Sequence, residues 1–215
     1  MKQKTLFIAA AVVFVAAFVI GTIVYQDRKA DSAQALARQA LLVRDYAPTV
    51  GPAEAKVHIV EFLDPACETC RSFYPFVKRM LAANPGKIRV SVRYAPFHNQ
   101  SDYVVKVLEA TRKQGKYWEA LEALLATQSR WAPNHSPDPD LVWPQLESLG
   151  LDLERVRQDM TAPDIARNVA QDIADVKALG VTQTPEFFVN GKPMPSFGYE
   201  QLAGLVNDAL ATAYR

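Results

Sequence analysis

Residues 56–63, Lys-Val-His-Ile-Val-Glu-Phe-Leu, run directly into Cys67-Glu68-Thr69-Cys70, and these are the only two cysteines in the chain. The run is rich in β-branched and aromatic side chains and is bounded by Gly51-Pro52 and Asp64-Pro65, which marks a buried strand. From Cys67 to Ala83 the pattern turns helical. Pro75 inside that stretch removes a backbone hydrogen bond to the Arg71 carbonyl and predicts a kink. The cysteine pair therefore sits at a strand-to-helix junction. With no other cysteine there is no framework of long-range disulfides, so the chemistry of the pair is local.

Further along, Ile88–Tyr94 reads as a second strand stopped by Pro96. Ser101 to Leu179 has helical periodicity, broken by the Pro/Asn/Asp-rich loop Pro133–Pro139 and by Pro163. Tyr117, Trp118, Leu121, Leu124 and Leu125 fall at helical spacing and predict a packed face. Glu186–Val189 returns to strand character, with Phe187 and Phe188 as core. Asn190-Gly191 is a hairpin signal, a short strand begins near Lys192, and Tyr199–Ala213 closes as a helix. Strand, helix, strand, helical block, hairpin and helix make an α/β pattern with a mixed sheet interrupted by helices. Apolar residues form about half of the chain and the formal net charge is only +1, which excludes wholesale disorder and a nucleic-acid-binding balance.

Residues 6–25 carry no charge and, at about 20 residues, are long enough to cross a hydrocarbon core as a helix. A cleaved signal peptide has a shorter apolar region, so an uncleaved anchor is favoured over a cleaved signal. Lys2 and Lys4 on one side balance Arg28 and Lys29 on the other, leaving orientation open by charge. Residues 26–49 are alanine-rich, with Leu36, Ala40 and Val43 at helical spacing, and read as a helical stalk or linker.

At the first turn of a helix, Cys67 would meet unpaired backbone N–H groups and the positive end of the helix dipole, both of which stabilise a thiolate. Cys70, one turn in, would be the resolving thiol that attacks a mixed disulfide. The same spacing is also half of a zinc site, but the chain offers only His58, His98 and His135 besides, with no paired spacing. Two thiolates and an imidazole could hold Cu(I), and an inert structural disulfide is a further option. Glu61 on the buried strand should have a raised pKa and could exchange protons with Cys70. Glu68 beside Cys67 should oppose the thiolate. His98 reads as a surface or capping residue, His58 as core or opposite face, and Gly180 as a turn residue.

Two motifs in this order, Val-Glu-Phe-Leu-Asp-Pro-Ala-Cys-Glu-Thr-Cys at 60–70 and Gly-Val-Thr-Gln-Thr-Pro-Glu-Phe-Phe-Val-Asn-Gly-Lys-Pro at 180–193, are separated by a helical block. Together they resemble the thioredoxin-fold family, in its DsbA-like branch of thiol:disulfide oxidoreductases. The resemblance covers about residues 50–213. It implies a thioredoxin fold in two parts, 50–100 and 180–215, around an inserted all-helical domain over 101–179 whose last helix packs back, preceded by the anchor over 1–25 and the stalk over 26–49. It implies that Thr184 and Pro185 form the cis-proline loop that seats substrate, that Glu61 occupies the position of a buried proton-transferring acid, and that Glu68 and Thr69 are the variable pair that tunes the centre. The expected activity is thiol–disulfide exchange on protein substrates with no bound cofactor and no metal beyond the redox-active Cys67–Cys70 pair. A membrane redox partner, attachment to the inner membrane through residues 6–25 and a periplasmic catalytic domain are expected with it. A copper-binding chaperone and a non-catalytic peptide-binding module are the competing functions.

Overall fold

The computed structural model describes Thr22, Tyr25, Gln26, Lys29 and residues 37–215. The expected anchor over 6–25 lies outside the described residues except for Thr22 and Tyr25. Among the described residues no helix is long and apolar enough to cross a membrane.

In chain order the elements are β1 (Thr49–Val50), β2 (Val57–Leu63), α1 (Glu68–Ala83), β3 (Ile88–Tyr94), α2 (Ser101–Arg112), α3 (Tyr117–Ala126), α4 (Gln128–Trp131), α5 (Pro139–Val142), α6 (Leu153–Asp159), α7 (Pro163–Leu179), β4 (Glu186–Val189), β5 (Lys192–Pro193) and α8 (Tyr199–Ala213). The sheet order is β1-β3-β2-β4-β5. β2 pairs parallel with β3, with Glu61 opposite Val92, and antiparallel with β4, with Glu61 opposite Phe187. The parallel pair is joined through α1, as a parallel connection requires a crossover. This is a thioredoxin-like α/β fold with a mixed sheet, and helices run from α2 to α7 between β3 and β4.

Every residue of β2 is buried, which explains why the strand reads as a near-continuous apolar run. Alternation sends Val57 and Ile59 to one face, where they meet Phe73 and Val77 of α1 and Leu202 and Val206 of α8. Val60 and Phe62 face the other way, onto Val176 of α7 and Phe188. At the C-terminal end of β2, Leu63, Cys67 and Cys70 join a third cluster with Val104, Leu108, Leu121, Leu124 and Trp131 of the helical segment. The cysteines thus have a roof supplied by helices between the two strands. Tyr117, Leu121, Leu124 and Leu125 are buried as their spacing predicts, whereas Trp118 is partly buried. α1 stays helical through Pro75.

The stalk expected over 26–49 ends sooner than its composition suggests. Residues 37–42 are helical, but Leu42 is buried against Val60, Phe62 and Val176. Arg44 then pairs with Asp175 at 2.8 and 2.7 Å, and the Tyr46 hydroxyl donates to Asp172. Arg93 of β3 is fully buried between the same two aspartates, donating to Asp172 at 2.7 Å and to Asp175 at 2.6 Å, and also to the carbonyls of Leu41 and Leu42. A buried guanidinium requires paired carboxylates, and these polar links fasten residues 41–50 to β3 and α7.

Candidate active site

Cys67 is the N-cap residue of α1, with extended backbone, and Cys70 lies in the helix's first turn. The turn that delivers Cys67 is fixed by Asp64, a fully buried carboxylate. Its Oδ1 accepts from the Ala66 N–H at 2.9 Å and from the Ser101 hydroxyl, and its Oδ2 accepts from the N–H of His98 at 2.9 Å. The Asp64 carbonyl takes the Cys67 N–H at 3.0 Å. Both cysteines are free thiols in this structure.

The Cys67 thiol donates to the Thr184 carbonyl at 3.2 Å. Thr184 is brought there from far along the chain by two local devices. Gly180, at a φ of 70°, ends α7 in the left-handed conformation that a side chain disfavours, with Val181 N–H closing back on the Val176 carbonyl. Six residues after Gly180, Glu186 begins the pairing of β4 with β2. The loop between them carries the Thr184–Pro185 peptide, which is cis.

The two sulfurs are driven apart in acidity. Cys67 falls from the ordinary 9.0 to about 5: the thiol of Cys70 donating to it is the largest cause, opposed by burial and assisted by the Thr184 side chain and the backbone N–H groups of Cys70 and Thr69. Cys70 has no exposed surface and is pushed well above the usual thiol range by burial, then by its hydrogen bond to Cys67 and by the Cys67 and Glu61 charges. Glu68 is exposed at the first helical position, where its carbonyl accepts from the Ser72 hydroxyl. The opposition expected from its charge does not prevent the net fall at Cys67.

Glu61 is 2% exposed and its pKa is raised from 4.5 to about 8, chiefly by burial and then by the Cys67 charge. Its Oε1 has no hydrogen-bond partner. It lines a cavity of about 450 Å³ walled by Tyr74, Val77, Val90, Val92 and Trp118, with Lys78 and Glu122 also at its wall. With its pKa near 8, Glu61 exchanges between its protonated and ionised forms close to neutral pH, so its ionised form can take the proton that Cys70 must give up and its protonated form can return it.

Cys67, Cys70, Glu61, Thr184, Pro185 and the Glu68-Thr69 pair are therefore assembled at the junction of β2, α1 and the 181–185 loop. His58 is buried elsewhere, with Nε2 2.8 Å from the Ser91 hydroxyl. His98 is more than a surface cap: its Nδ1 lies 2.7 Å from Asp64 Oδ2, beside the cysteine turn, and its ring stacks on that of His135. Sequence reasoning passed over His135, Asp64 and Gln128. The one available signal was that two of only three histidines sit in Pro- and Asn-containing loops around the helical block. Among the described residues no group of three or more His, Cys, Asp or Glu side chains is arranged to hold a metal ion.

A family model described as thioredoxin matches residues 44–208, well over half of the chain. A thioredoxin-like oxidoreductase from Silicibacter pomeroyi is 31% identical, with a TM-score of 0.71, covering 81% of this chain and 98% of that one. BdbD from Bacillus subtilis is 22% identical with a TM-score of 0.67, covering 77% and 94% respectively. The catalytic domain of Proteus mirabilis ScsC is 21% identical with a TM-score of 0.68, covering 83% and 98%. The chain belongs to the thioredoxin family. Among curated proteins, an Na(+)/H(+) antiporter NhaA 3 from Salinispora tropica is 33% identical over 167 residues, 76% of this chain but 24% of that protein. The chain thus spans about a quarter of the length of the curated relatives it matches.

Proposed function

We propose that the protein carries out thiol–disulfide exchange on protein substrates through Cys67 and Cys70. The observation that carries this reading is the division between the sulfurs. One is acidified at a helix N-terminus by the Cys70 thiol, the Thr184 side chain and backbone N–H groups; the other is sealed one turn inside. In the reducing direction the Cys67 thiolate attacks a substrate disulfide, forming a Cys67–substrate disulfide and releasing a substrate thiolate, which takes a proton from water. Cys70 then passes its proton to the Glu61 carboxylate, and its sulfur attacks Cys67 Sγ. The Cys67–Cys70 disulfide forms as the second substrate thiolate leaves. Oxidation of substrate dithiols is the same sequence reversed. Thr184 and Pro185 border the attacking sulfur, where the backbone of an extended substrate would lie.

A Cys67 pKa of about 5 falls between the handful of reference values for such centres, about 3.5 for a strong oxidant and about 7 for thioredoxin. That supports an oxidising power below that of DsbA. The uncharged run over 6–25 supports a single-pass anchor in the inner membrane, a catalytic domain in the periplasm and a membrane redox partner. A reporter fused after Arg215 that is active only in the cytoplasm would reject this placement.

Insulin reduction by the wild-type protein, with Cys67→Ala as control, tests the reaction class. Cys70→Ala should accumulate reductant-sensitive complexes with substrate proteins, and Cys67→Ala should accumulate none. Stoichiometric Cu(I) uptake with no exchange activity would favour a copper-binding chaperone in its place.

A further inference from the structure

Three successive carbonyls lead into the nucleophile, those of Pro65, Ala66 and Cys67, and each is met by a side chain from the helical segment between β3 and β4. Gln128, fully buried at the start of α4, directs its Nε2 to the Pro65 carbonyl at 2.7 Å and to the Cys67 carbonyl at 3.0 Å. His135 directs Nδ1 to the Ala66 carbonyl at 3.2 Å. It reaches inward because Asn134 and His135 both take left-handed backbone, at φ of 52° and 59°. The His135 ring lies flat on that of His98, with centroids 4.7 Å apart and planes 12° from parallel. His98 in turn holds Asp64, the acceptor of the Ala66 N–H. The Ala66 residue is thereby held at its carbonyl by His135 and at its N–H by the Asp64–His98 pair. No hydrogen bond runs from either Gln128 or His135 to a sulfur; both act on the backbone.

We propose that Gln128 and His135 are positioning residues for the thiol centre, clamping the Pro65–Cys67 turn so that the Cys67 sulfur stays over the N-terminus of α1 and keeps its nucleophilicity. The helix end acts on a charge only within about its first turn, so a small drift of the N-cap residue removes the sulfur from the N–H groups of Thr69 and Cys70. Each side-chain N–H also offsets the negative end of a carbonyl dipole in the same turn as the thiolate. For this purpose the helical segment is a brace on the catalytic turn as well as a roof over it. The proposal rests on the exchange reading for its purpose, but its measurement does not require a substrate.

The test is a titration of the Cys67 thiolate by its ultraviolet absorbance, together with the glutathione equilibrium of the Cys67–Cys70 pair, in the full chain and its variants. Gln128→Met keeps length and volume but has no donor. His135→Phe keeps the stacked ring and loses the N–H. His135→Asn places an amide donor near the Nδ1 position and suits the left-handed backbone. Gln128→Met and His135→Phe should each lower the thiolate-to-thiol ratio about tenfold at a given pH, making the pair about 30 mV more reducing at pH 7 and above, where the wild-type Cys67 is ionised. His135→Asn should restore both readouts toward wild type. If the Met and Phe variants titrate as the wild type does, or if Phe and Asn shift equally, the proposal is overturned. Should Gln128→Met fail to fold, the two His135 variants still decide between donor and ring. Loss of insulin reduction in the wild type would reject the exchange reading and leave the titration comparison intact.

Discussion

Cys70→Ala separates the contribution of the buried thiol from that of the helix end. In the dithiol form the largest cause of the low Cys67 pKa is the hydrogen bond donated by Cys70. Hydrogen bonds to charged groups contribute about 1.5–3 kcal/mol, or roughly 1–2 pKa units at 1.36 kcal/mol per unit. A thiol is a weak donor, so the lower end applies and Cys67 should move from about 5 to about 6. At pH 5.5 the thiolate fraction would then fall from about three quarters to about one quarter, by the titration relation for a one-unit shift. Iodoacetamide alkylation of Cys67, the only remaining cysteine, should slow about threefold at pH 5.5 and not at all at pH 8, where both forms are ionised. Cys70→Ser keeps a hydroxyl donor at the same place and should stay close to the wild-type profile. Equal alkylation of the Ala and Ser variants across the pH range would refute the argument. Faster alkylation of the Ala variant at pH 5.5 would refute it as well, because relief of burial would then outweigh the lost donor.

Glu61→Gln should slow release of the mixed disulfide by about 10²-fold at neutral pH, the lower range for loss of a positioned proton acceptor, as read by single-turnover quench. The same variant should be more stable than wild type by about 2–4 kcal/mol at pH 8: a folded-state pKa raised to about 8 penalises the native state as pH rises above 4.5 and in full above 8. Equal urea midpoints at pH 8 would contradict that reading. His58 is shifted the other way, from 6.5 to about 4, by burial and then by the Arg89 charge. Its penalty is absent above pH 6.5 and grows as pH falls to 4, so His58→Gln should recover about 2 kcal/mol of stability at pH 4 after allowance for partial exposure, and none at pH 8. Arg93→Met should cost about 3–5 kcal/mol in urea unfolding by leaving Asp172 without its buried partner, and a loss below about 1 kcal/mol would show the network to be dispensable.

The strands and helices were legible because burial here follows local periodicity. β2 reads as a strand since all of it is buried, and α3 reads as a packed helix since Leu121, Leu124 and Leu125 repeat on one face. The segment 42–50 was not legible for the opposite reason. Arg44 and Tyr46 look like solvated positions on a helix, and their partners Asp175 and Asp172 stand 131 and 126 residues away. Those aspartates lie on a buried face of α7 beside Val169 and Val176, where a charge ordinarily marks the solvent side. Only the arrival of Arg93 from β3 reverses that expectation, and no local pattern announces it.

The candidate site divides along the same physical line. Cys67, Cys70 and Glu61 declare themselves within one strand and one helical turn, because a thiol pair at a helix start and an acid on a buried strand are unusual wherever they occur. Thr184 needs the chain reversal set by Gly180, and it meets Cys67 with both its backbone carbonyl and its side chain only once that reversal is made. Nothing local announces that meeting, so its place in the site came from resemblance. Gln128 and His135 are a step less visible. Gln128 is a polar residue next to Trp131 in a short helix, and its amide becomes a donor to the cysteine turn only across 63 and 61 residues of chain. His135 depends on two consecutive left-handed residues to aim its ring inward. Residues that react can be recognised by what they are. Residues that hold the reacting group act through ordinary amides and imidazoles, so their roles emerge only once the fold has brought them to the backbone they support.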